Sequence, residues 1–107
     1  MVVAVACNGH NVPTHFNHAT SLTFYHIDRG IVLGSRSMPL SDAPASRQSR
    51  ILGELGAYAL ICCGTDAHTH RALDEQGVEV FFCTDPSPLE AVRTFLRETF
   101  LGTAELV

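Results

Sequence analysis

Apolar residues are spaced in two different ways along this chain, and the spacing changes near Pro44. Residues 2–7 are almost wholly apolar, with Val3, Val5 and Cys7 on one face and Val2, Ala4 and Ala6 on the other. Cover on both faces predicts a central strand. Residues 20–27 alternate instead, Leu22, Phe24 and His26 opposing Thr23, Tyr25 and Ile27, and residues 31–38 resume after Asp28-Arg29-Gly30. This is the pattern of an antiparallel hairpin with its glycine at the expected end of the turn. Beyond Pro44 the interval becomes three and four. Ala45, Gln48, Ile51, Leu52 and Leu55 predict a helix with Ser41 or Asp42 as cap and Gly56 in the left-handed position that ends it. A strand follows over residues 57–63, then a short helix over 66–76 stopped by Gly77, then a last strand over 78–83. Ser87, Pro88 and Glu90 have the order of a capping box. They start a final helix with an apolar stripe of Leu89, Val92, Phe95, Leu96 and Phe100, closed by Gly102.

The predicted order is thus β-β-β-α-β-α-β-α, without repeats or an internal linker. Right-handed crossovers through the helices make the first, third, fourth and fifth strands parallel if the second runs opposite. The expectation is an α/β fold, a mixed five-stranded sheet with helices on its faces, forming one domain over residues 1–107.

Composition narrows the function classes. At 46% hydrophobic and 17% charged residues the chain is not a disordered one, and it has no apolar run approaching the ~18 residues of a membrane span. Seven arginines, no lysine and eleven carboxylates leave a formal charge of −4. Such a surface repels phosphate backbones, so nucleic acid is not an expected partner, and the lack of a long apolar run leaves the membrane out as well. The start lacks the basic region and the apolar length of a secretory signal, which points to the cytoplasm. There the four cysteines are expected as free thiols, and the adjacent pair Cys62 and Cys63 would be strained as a bridge.

Several elements in order resemble a known family. They are Val3-Ala4-Val5-Ala6-Cys7-Asn8-Gly9, Pro13-Thr14-His15-Phe16, Ile27-Asp28-Arg29-Gly30-Ile31, Leu60-Ile61-Cys62-Cys63-Gly64 and Ala72-Leu73-Asp74-Glu75-Gln76-Gly77-Val78-Glu79-Val80. Together, over about residues 1–101, the chain resembles the dinitrogenase iron-molybdenum cofactor biosynthesis family, with its NifX-type and NafY-type carriers and the C-terminal domain of NifB. The resemblance implies a ribonuclease H-like fold with strand order 3-2-1-4-5, strand 2 antiparallel, and three helices. It implies a small carrier or accessory protein that binds an iron-sulfur or iron-molybdenum cluster precursor and works with cofactor-assembly proteins, and it carries His15 over as a ligand. It does not imply nuclease chemistry, because the first strand offers no clustered carboxylates for two metal ions. Residues 40–46 stand where many members carry a glycine- and histidine-rich segment.

That topology brings chemistry together that no linear motif shows. Cys7, Cys62, Cys63 and Cys83 all end adjacent strands along one edge of the sheet. The loop carrying His15 and His18, and the start of the helix carrying His68 and His70, leave from the same edge. Thiolates with imidazoles suit zinc, iron or an iron-sulfur cluster, and the sparse carboxylates Asp66 and Asp85 argue against calcium. The candidate cofactor-binding residues are His15, His18, Cys62, Cys63, His68 and His70, with His15, Cys63 and His70 as the metal ligands. Each has a bland alternative. A strand-end cysteine commonly packs as a small hydrophobe, and surface histidines are ordinary. Cys62 and Cys63 point to opposite faces if both are in the strand. His68 and His70 lie about 200° apart if that stretch is helical. Two further readings stay open: an interaction or regulatory module of the same fold that has lost the cluster, and a thiol enzyme with Cys63 as nucleophile beside His68 or His70.

Overall fold

The computed structural model describes residues 1–40 and 45–101. Five strands form one sheet in the order β3-β2-β1-β4-β5. They are β1 (Val2–Cys7), β2 (Ser21–Asp28), β3 (Ile31–Pro39), β4 (Ala57–Cys62) and β5 (Glu79–Phe82). β2 runs antiparallel to both β1 and β3, while β1, β4 and β5 are parallel. The three helices are α1 (Ala45–Glu54), α2 (Ala67–Glu75) and α3 (Pro88–Leu96), and Arg97–Leu101 continue α3 as a π-helical turn. The predicted mixed sheet, its order and its three helices are all present.

The alternation along β1 divides the core into two. Val3, Val5 and Cys7 face one side with Tyr25, Ile27, Ala59, Ile61, Cys83 and the α3 residues Ala91, Val92 and Phe95. Ala4 and Ala6 face the other with Phe16, Leu22, Phe24, Leu60, Cys62, Leu52 of α1 and Leu73 of α2. Alternating residues of a strand point to opposite faces, so a strand apolar throughout must be covered twice. β3 is an edge strand and mostly exposed, Leu33 at 69%, with Val32 packed on one cluster and Met38 on the other. The β2–β3 turn is a tight one in which Arg29 and Gly30 both adopt positive φ, 54° and 78°.

Three details of the sequence reading are corrected. Leu55 lies past the end of α1 and is 49% exposed, whereas Ser49 is buried in its place. α1 packs closely on the end of α2, where a Cβ on Gly53 would come within 3.1 Å of Gln76, the residue that caps α2. Leu89 is exposed at the start of α3, and Ala91 takes the buried position. The capping box is not made. Ser87 is the N-cap residue but gives no side-chain bond, Glu90 pairs with Arg93 at 2.8 Å on the surface, and Thr94 Oγ1 donates to Asp85 at 3.0 Å. The proposed caps Ser41 and Asp42, and Gly102, lie outside the described residues.

Candidate functional site

The carboxyl ends of β1, β4 and β5 form the edge on which the thiols and imidazoles were expected. The loop from Asn8 to Thr20 is fastened across it. Asn8 and Asn11 close a turn by mutual backbone bonds, Val12 N–H donates to the Pro86 carbonyl at 2.8 Å, and Phe16 N–H donates to the Gly64 carbonyl at 2.8 Å. Phe16 is buried against the α1 and α2 side, and Asn8 Nδ2 donates to the His18 carbonyl. A short helical turn over Phe16–His18 then sets the His15 and His18 rings 6.2 Å apart between centroids.

Gly64 is what lets the loop sit so close. A Cβ there would lie 2.9 Å from the Thr14 carbonyl oxygen, a backbone atom that cannot swing aside, and 3.9 Å from the His15 ring. Gly64→Ala is therefore expected to push the loop off the edge and to destabilise the fold by about 1–3 kcal/mol, the usual cost of overpacking. Urea denaturation and amide exchange at Phe16 check this; an unchanged midpoint with Phe16 still protected would contradict it.

Asp66 follows and caps α2. Its carboxylate accepts from Thr69 N–H at 2.7 Å, which leaves Thr69 buried beneath it. Hydrogen bonding to Thr69 holds the Asp66 carboxyl below the usual carboxylate range, and the nearby imidazoles of His15 and His68 lower it further when charged. A depressed carboxylate stabilises the fold above its unfolded-state value and loses that contribution as pH falls through the folded-state value. The stability gap between the native protein and Asp66→Ala is thus expected at neutral pH and to close in acid below the ordinary carboxylate range. Thermal midpoints against pH check it; a constant gap would contradict it.

The four thiols differ sharply. Cys7 is buried, its Sγ 3.5 Å from Thr23 Oγ1, and burial pushes its pKa up. Cys62 is buried on the α1 and α2 side, and burial with the neighbouring Cys63 pushes it to about 11. Cys83 is buried on the α3 side and pushed to about 12, chiefly by burial and then by Cys63. Cys63 alone is partly exposed, with its Sγ 3.8 Å from that of Cys83. At pH 7 a thiol titrating near 11 is thiolate in on the order of one molecule in ten thousand. Alkylation of the folded protein at neutral pH is expected to modify Cys63 first and leave the other three intact until denaturant is added; early label on Cys62 or Cys83 would contradict the burial.

The sequence-derived residues are thereby sorted. Cys62 and Cys63 do face opposite sides, as strand alternation requires. His68 and His70 both lie within α2, where the helical angle separates them: the influence of His68 reaches Asp66, and His70 sits edge-on to Phe82 at 6.0 Å. The edge therefore presents pairs, His15 with His18 and Cys63 with Cys83. Among the described residues no three of His, Cys, Asp and Glu are grouped to hold a single metal ion. Two features of the edge were not read from the sequence. One is the direct opposition of Cys63 and Cys83. The other is Thr65, whose Oγ1 is buried without a hydrogen-bond partner. An open cavity of about 670 Å³ lies at the other end of β1, lined by Met1, Ile27, Arg29, Arg93 and Leu96, and holds neither thiol nor imidazole.

Comparison with known proteins bears on this edge. The family model described as dinitrogenase iron-molybdenum cofactor matches residues 1–98. Among solved structures, the crystal structure of PH0822 superposes with a TM-score of 0.83 at 16% identity over 92% of this chain and 90% of that one. A crystal structure from Methanocaldococcus jannaschii, provisionally described as a dinitrogenase, gives 0.77 at 14% identity over 92% and 89%. A Thermotoga protein solved by NMR, provisionally described as a NifB protein of the DUF35 family, gives 0.67 at 17% over 87% and 86%. At these identities the structural matches establish the shared fold. No curated protein matches the chain.

Proposed function

Because this chain belongs to the dinitrogenase iron-molybdenum cofactor family, we propose that it is a carrier or accessory protein that holds an iron-sulfur or iron-molybdenum cluster precursor on the edge formed by β1, β4 and β5. The observation that supports the reading is the seating of the His15 loop on Gly64, next in the chain to the partly exposed Cys63, with the His15 and His18 rings 6.2 Å apart between centroids. The proposed ligands are His15 and Cys63, with His18, His68 and His70 as further candidates, the His70 ring standing edge-on to Phe82 at the end of β5. Cys62, buried on the opposite face, drops out of this proposed set. The unpartnered Thr65 Oγ1 at the same edge supports a bound group there.

The cluster is cargo in this account, which suits the donors. A lone structural zinc needs four ligands converging on one point. A cluster contains several metal atoms and takes protein ligands one at a time from separate side chains, as histidine and cysteine do for iron-sulfur groups. A protein that hands its cargo to assembly partners also gains from holding it by few bonds. Catalysis has less support: the group that meets the Cys63 thiol is a second thiol, that of Cys83.

Ligation by neutral imidazole and thiolate releases protons, so retention is expected to fall below about pH 6. Protein loaded anaerobically with iron and sulfide at pH 8 and desalted at lower pH should lose its iron across that range; iron retained evenly from pH 8 to 5 would contradict this ligand set. The pairing of donors rather than their convergence favours a second reading, an interaction or regulatory module without cargo. It requires thermal stability and spectrum to be unchanged by iron and sulfide.

A further inference from the structure

Cys63 and Cys83 are the first residues beyond the paired parts of two neighbouring parallel strands. The register that sets Cys62 opposite Phe82 sets these two opposite each other, and Cys83 N–H still donates to the Cys62 carbonyl at 2.9 Å. Both side chains lie on the α3 side of the sheet, with their sulfurs 3.8 Å apart. Neighbouring strands stand about 4.8 Å apart, inside the roughly 4.4–6.8 Å between Cα atoms that a disulfide spans. That spacing suits a bridge, for which the sulfurs close from 3.8 Å to bonding distance. Cys63 is the partly exposed member and Cys83 the buried one, so a dissolved reagent meets Cys63 first.

We propose that Cys63 and Cys83 are a reversible dithiol that small disulfides such as glutathione disulfide oxidise to an intramolecular bridge. The Cys63 thiolate attacks one sulfur of the reagent and expels one glutathione thiolate, giving a mixed disulfide. Cys83 then gives up its proton to solvent, attacks Cys63 Sγ and expels the second glutathione. Two protein thiols are oxidised by two electrons and one glutathione disulfide is reduced to two thiols. The bridge ties the ends of β4 and β5 and removes Cys63 from the edge as a donor, so oxidation state governs what that edge can bind. The pairing holds whether or not the edge carries a cluster.

Titration of the folded protein with excess glutathione disulfide tests it. Two of the four free thiols should disappear without bound glutathione and return with dithiothreitol. Cleavage after Arg50, Arg71 and Arg93 should then give residues 51–71 linked to residues 72–93, with fragmentation placing the bond on Cys63. Cys83→Ser should instead retain glutathione on Cys63, while Cys7→Ser should still form the bridge. The wild-type peptide map is decisive even if a variant fails to fold. Glutathione persisting on Cys63 in the wild type, or a bridge through Cys62 or Cys7, would overturn the proposal.

Discussion

Leu60→Ala is expected to cost about 2–5 kcal/mol of unfolding free energy, the range for removing a large aliphatic side chain from a packed interior. Leu60 has no exposed surface. It stands at the centre of β4, opposite Ala4 of β1 and Val80 of β5, in the cluster that joins Leu52 of α1, Leu73 of α2 and Phe16 of the His15 loop. No neighbour can collapse into the space without drawing a sheet or helix with it. Domains of this size are stable by about 5–15 kcal/mol, so the change consumes a large share. Because the same cluster anchors Phe16, the loop should loosen before the rest of the sheet. Urea titration gives the comparison: Leu33→Ala on exposed β3 should stay within about 0.5 kcal/mol of wild type. Equal costs at the two positions would show that the β1, β4 and β5 core is not where stability resides.

The second large effect concerns cargo. Replacing His15 and Cys63 together, as His15→Ala with Cys63→Ser, is expected to abolish iron retention after anaerobic loading. His26→Ala and Cys7→Ser should leave it intact. His26 is exposed on β2, and Cys7 is a buried packing residue against Thr23. The single variants should each weaken retention by at least the 10–100-fold typical of residues that merely support a ligand. Circular dichroism separates this from misfolding, since His15 and Cys63 are both outside the fully buried core. Full retention in the double variant would remove both residues from the site.

The sheet was legible because β1 and β4 are apolar on both faces and β2 alternates, and only a doubly covered centre with an antiparallel neighbour satisfies all three. Gly56 and Gly77 marked helix ends correctly, each at positive φ. Leu55, Leu89 and Ser87 fit helical spacing or capping order, but α1 ends before Leu55, Leu89 stays exposed in the first turn of α3, and Asp85 is bonded by Thr94 while Ser87 makes no side-chain cap. The site was legible as an edge and not as a constellation. Strand alternation alone separates Cys62 from Cys63, whereas the meeting of Cys63 with Cys83 depends on the register of β4 against β5, a long-range pairing that no local spacing shows. The approach of Thr14 to Gly64 is likewise a loop path, and only the glycine hints at it.

Anaerobic reconstitution of the wild-type protein with iron and sulfide, followed by desalting and visible absorption, tests the central claim most directly. A cluster carrier should keep iron and sulfide through the column and show thiolate-to-iron charge-transfer bands that the His15→Ala, Cys63→Ser variant lacks. A colourless, metal-free wild-type protein with an unchanged thermal midpoint would contradict it.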